Sequence, residues 1–193
     1  MRSLLGGFMA LFVCAAQPGL AQQQQLDAGP APRITVAAWQ PDADHHPGDS
    51  SVVRRATSAL IERLRLLGVV VLPGPEALAD SAAPGAPIDV ADMLRATAAL
   101  PSPGRPDALA ALSVRGNVSI TGDGARLRAV VEIDLRWVET GEILGRPMAA
   151  SPKAGVPVEM PCSRACMQEA FGAEAADLAT ELAVEISDAM VVR

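Results

Sequence analysis

The sequence predicts an α/β fold, with α+β character: a mixed sheet flanked by helices in the order strand, helix, strand, short helix, three-strand meander, helix. Three observations carry this. An amphipathic helix pattern lies between two short β-branched runs in the first half. Two long segments alternate apolar and polar residues around Thr121-Gly-Asp-Gly124. A long Ala/Leu-rich helical pattern closes the chain. Period 3.6 marks helices and period 2 marks half-buried strands.

Arg33 to Trp39, lying between Pro32 and Pro41, is β-branched at its start and reads as a buried strand. A polar loop, 40–50, follows; Asp49 or Ser50 can cap the next helix. From Ser51 to Leu67 the apolar residues Val52, Val53, Ala56, Leu60, Leu64 and Leu67 recur three and four apart. Gly68 suits a left-handed helix end, and Val69–Leu72 reads as a second buried strand stopped by Pro73. Within the proline-rich stretch 76–106 one short helix is expected over Asp89–Ala99, with Asp89 as its N-cap.

The region from Leu109 to Ile120 puts Val114, Gly116, Val118 and Ile120 on one face. Leu127 to Val138 puts Leu127, Ala129, Val131, Ile133, Leu135 and Trp137 against Arg128, Glu132, Asp134 and Arg136. That pattern predicts an antiparallel sheet with one wet side, on which Glu132 and Asp134 are solvated charges. Thr140-Gly141-Glu142 turns the chain into a third strand over Ile143–Met148. Residues 151–161 read as a loop, and Ser163–Met190 as a helix with Leu178, Leu182 and Ile186 inward. The domain is expected to span 33–190.

Composition limits function. The net charge of −6 argues against nucleic-acid binding, which needs a surplus of Lys and Arg. Tyr is absent and aromatics make up only 3% of the chain, which leaves little for stacking bases or sugars. The first twenty-one residues read as a signal peptide: Arg2, an apolar run from Leu4 to Ala16, a break at Pro18, and Gly19-Leu20-Ala21 before the cut. Cys14 lacks the small preceding residue of a lipobox, so export without a lipid is expected. Residues 22–32 read as a flexible tether. The expected location is the periplasm, with no transmembrane segment in the mature chain.

The most unusual segment is Met160-Pro-Cys162-Ser-Arg-Ala-Cys166-Met167. Cysteines four apart at a helix start share one face. In an oxidising compartment they suit a disulfide. A helix N-terminus lowers a thiol pKa, so a redox role is a second reading. Soft sulfur ligands at Met160, Cys162, Cys166 and Met167, with His45 added, suit copper as a third. The His45-His46 loop with Asp42, Asp44 and Asp49 reads as a solvated turn. No Gly-x-Ser-x-Gly elbow, P-loop or dinucleotide fingerprint occurs, so neither an enzyme nor a cofactor is expected.

Two stretches carry a family resemblance. One is Ile34–Trp39, a polar loop, a helix and Gly68–Leu72; the other is Leu127–Val138 followed by Glu139-Thr-Gly-Glu-Ile-Leu144. Over residues 33–148 the pattern resembles the periplasmic α/β domain group of the TolB amino-terminal domain, the penicillin-binding-protein activator lipoproteins and the curli secretion protein CsgG. The resemblance implies an envelope accessory protein that acts through contacts with an envelope protein partner. It brings neither the membrane-spanning hairpins of CsgG nor a propeller repeat.

Overall fold

The computed structural model describes residues 30–39, 50–74, 89–121 and 124–191. Among them the order is β1 (Arg33–Ala38), α1 (Ser50–Leu66), β2 (Val70–Leu72), α2 (Val90–Ala98), β3 (Ala108–Thr121), β4 (Gly124–Trp137), β5 (Ile143–Gly145), β6 (Met148–Ala150), β7 (Val156–Val158) and α3 (Arg164–Val191). The expected mixed sheet flanked by helices is present.

Strands run in the order β2-β1-β3-β4. β1 is parallel to both β2 and β3, and β3 is antiparallel to β4 from Ala108↔Trp137 to Thr121↔Gly124. The outer edge of β4 takes β5, β6 and β7, each antiparallel to it. The expected third strand over 143–148 is therefore two pieces, and the expected loop 151–161 contains β7. Pro147 separates the pieces because it has no N–H to give a ladder. The register of β4 also shifts between Leu135 and Arg136. Between β6 and β7 the buried Ser151 replaces a strand residue: its Oγ accepts from the Ala129 N–H at 2.8 Å, and its own N–H donates to the Ala129 carbonyl at 2.9 Å.

The helix ends follow local chemistry. Gly68, at φ +84°, closes α1. The Gly68 N–H reaches the Arg65 carbonyl and the Val69 N–H reaches the Leu64 carbonyl, both at 3.1 Å, which is the Schellman pairing. Asp89 caps α2, its carboxylate accepting from the Ala91 N–H at 3.1 Å. Ser163 caps α3, its hydroxyl accepting from the Cys166 N–H at 3.2 Å.

Two cores sit on opposite sheet faces. On one, Leu60 and Leu64 of α1 and Leu182 and Ile186 of α3 pack with Ile34, Ala110, Leu112, Leu127, Val131 and Ile133. On the other, Val90 and Met93 of α2 pack with Leu109, Ala111 and Val138. Adjacent residues of β3 thus serve opposite cores, as a period of two requires. No helix among the described residues is long and apolar enough to cross a membrane.

Candidate binding surface

The Cys162 and Cys166 sulfurs stand at disulfide-bonding distance, 1.98 Å, with their Cα atoms 5.5 Å apart. The geometry is possible because Cys162 precedes the cap Ser163 and so lies outside the helix. Joined sulfurs leave the segment only the thioethers of Met160 and Met167. Among the described residues no group of three or more His, Cys, Asp and Glu could hold a metal. His45 and His46 lie outside the described residues, as do the expected leader and most of the tether. From the tether's end, the Pro32 carbonyl accepts from the Val70 N–H at 2.9 Å.

The expected wet face of β4 is only partly wet. Glu132 takes a hydrogen bond from Arg115 at 2.6 Å at a half-open position. Asp134, by contrast, is only 5% exposed. It is gripped by Arg136 at 2.6 and 3.0 Å and approached by Arg146 at 3.4 Å. The Asp134 hydrogen bonds hold the Arg136 guanidinium above its ordinary pKa, against the opposing pull of burial. Alternation assigned Asp134 to the correct side but gave no sign that this stretch of that side is covered.

At the other end of the ladder, Arg33 binds Asp107 through its N–H and its guanidinium, both at 2.9 Å, and reaches the Pro103 carbonyl at 2.8 Å. The hydrogen bond and charge of Asp107 raise the Arg33 pKa. Beside this clasp lies a polar pocket lined by Arg105, Trp137 and Glu139. Arg33 and Asp107 also line it and are committed to each other, so it serves first to tie β1 to the start of β3.

Among the described residues, the far half of β3 is open. Pairing with β1 stops at Leu112, and the last bond on that side is from Trp39 N–H to the Leu112 carbonyl. Residues 115–120 are all exposed. Among the described residues nothing pairs with their outer backbone edge. Val118 and Ile120, expected to point inward, are 41% and 74% exposed. Their partners across the ladder, Leu127 and Ala125, are buried. Cover thus reaches β4 and stops short of β3.

This topology has a solved counterpart. The hypothetical protein CT253 from Chlamydia trachomatis superposes with a TM-score of 0.51 at 8% identity, covering 85% of this chain and 100% of that one. The likeness is one of fold alone. The PelC dodecamer from Paraburkholderia phytofirmans (TM-score 0.46, 14% identity, 85% and 94% covered) and lipoprotein GNA1162 from Neisseria meningitidis (0.44, 14%, 77% and 96%) are also similar. No family model matches the sequence, and no curated protein does.

The length of β3 could have revealed the open edge in advance. A 14-residue strand runs well beyond the usual five or six, so its far end outlasts the layers that cover it. Edge strands are normally blunted by Lys, Pro or a bulge. Here the only charge from 115 to 121 is Arg115, which is tied to Glu132.

Proposed function

We propose that this is an exported, non-enzymatic binding or assembly module of the bacterial cell envelope, acting in the periplasm through protein–protein contacts. The observation that carries the reading is the open β3 edge, 115–121, with Val118 and Ile120 exposed beside it. An unpaired edge gives a partner strand its main-chain hydrogen bonds, and alternate side chains set its register. The export pattern of residues 1–21 and the resemblance to the periplasmic α/β domain group support the compartment.

Photo-crosslinking in intact cells tests this. A crosslinking residue at Val118 or Ile120 should capture an envelope protein, and the same residue at exposed Glu139, beyond the other end of the β3–β4 ladder, should not. Capture by a crosslinker at Val118 should fall when Ile120→Pro removes an N–H from the open edge. No adduct from 118 or 120, or the same adducts from 139, would reject the proposal.

A further inference from the structure

The two helices on the larger core face carry opposite charge on their outer sides. On α1, Arg54, Arg55 and Arg65 are exposed, with Glu62 the single acid on that ridge. On α3, Asp177, Glu181, Glu185 and Asp188 form an exposed stripe. The helices touch: a Cβ on Gly172 of α3 would lie 3.3 Å from Arg55 Cδ. Even so, no ion pair among the described residues joins the α1 arginines to the α3 acids.

The acidic stripe is arranged against its own helix. Asp177, Glu181 and Glu185 are like charges four apart, which repel along a helix face. Asp188 stands in the last turn, which contains no basic residue, at the negative end of the helix dipole. Both ridges also expose apolar side chains: Leu66 on α1 at 74%, and Val184 and Val191 on α3 at 42% and 70%. Each ridge has what the other lacks.

We infer that the α1/α3 face is an interface between two copies of this chain. A two-fold axis sets α1 of one copy over α3 of the other, so that every contact occurs twice. The arginines then meet the acidic stripe, and Leu66 meets the exposed valines. Seventeen residues make α1 about 25 Å long, and two adjacent helices give a face of roughly 500 Å² per copy. The total of about 1,000 Å² is at the small end of specific interfaces, so a weak dimer is expected, with dissociation in the micromolar range. The interface lies on the helical layer rather than on the β3 edge, so it stands or falls independently of the proposed function.

Sedimentation of the purified protein tests this. At low salt it should dimerise, and raising the salt to about 0.5 M should weaken the dimer at least about tenfold, because exposed charges are screened. Arg54→Glu with Arg65→Glu should give a folded monomer, and so should Glu181→Arg with Glu185→Arg. Mixing the two variants should restore a dimer, since all four ridges then face opposite charge. If a reversal fails to fold by circular dichroism, the milder Arg65→Gln and Glu185→Gln should each weaken the dimer severalfold. A monomer at about 100 μM in low salt, a dimer indifferent to these changes, or a larger assembly would overturn the inference.

Discussion

Asp134 and Arg136 lie two residues apart on one face of β4 and hold each other through two hydrogen bonds, at 2.6 and 3.0 Å. Their burial is unequal: the Asp134 side chain is 7% exposed and that of Arg136 is 24%. The carboxylate therefore depends more on the pair than the guanidinium does. Arg136→Met leaves a buried charge with only Arg146, at 3.4 Å, and is expected to destabilise by about 2–3 kcal/mol. Asp134→Asn leaves an arginine that can turn to water and should cost about 1–2 kcal/mol. Urea denaturation checks the order. Two changes within about half a kcal/mol of wild type would mean a solvated pair.

The sequence alone shows which side of β4 Asp134 occupies but not its burial. Alternation reports the side a residue faces; whether that side is covered depends on Arg146, which comes from the β5–β6 turn, and on α2. The same limit explains Val118 and Ile120, which face the apolar side beyond the point where helices cover it. The ends of α1 and α2 were legible because their caps are local, as Gly68 and Asp89 show. β6 and β7 were not, since each has three residues and takes its definition from the edge of β4 rather than from a pattern of its own. Pro157 inside β7 reads as loop chemistry, yet an edge strand tolerates it. The closeness of the two cysteines could be read from their spacing at a helix start, whereas the sequence signals the open edge only through the length of β3, and its extent needed the pairing limit at Leu112.

Gly116 shows how close the packing is where α3 meets the far half of the ladder. A Cβ there would lie 2.4 Å from both the Arg128 carbonyl oxygen and the Phe171 ring. Gly116→Ala is expected to destabilise by about 1–3 kcal/mol, the usual cost of overpacking. Phe171→Leu in the same chain should relieve the ring contact but not the one with the carbonyl, so rescue should be partial. A double-mutant cycle measures this; full rescue would mean that the backbone contact relaxes freely.

Ser151 completes the edge of β4 with a side chain. Ser151→Ala leaves the Ala129 N–H without its 2.8 Å acceptor at a buried position, at an expected cost of about 1–2 kcal/mol. Ser119 provides the control: its hydroxyl meets the Arg126 carbonyl at 3.4 Å in the exposed far half of β3. Ser119→Ala should change stability by no more than about half a kcal/mol. Equal effects in thermal denaturation would contradict the role given to Ser151.

Cys162 and Cys166 enclose a very short loop, so a bond between them constrains the unfolded chain little. On the chain-entropy model a five-residue loop contributes about 2 kcal/mol at most. Replacing both cysteines with Ser should therefore leave a folded protein, because α3 keeps its Ser163 cap and its buried residues Leu178, Leu182 and Ile186. Ser163→Ala removes the acceptor of the Cys166 N–H and should cost about 1 kcal/mol, comparable to loss of the bridge. Thiol titration of freshly isolated protein, before and after denaturation, should find neither Cys162 nor Cys166 free. Two free thiols, together with stoichiometric Cu(I) uptake that the double Ser variant lacks, would favour a copper site built on Met160, Cys162, Cys166 and Met167, since thiolate and thioether donors select that ion. Partly reduced thiols that react at neutral pH would instead mark a redox device at the positive end of α3.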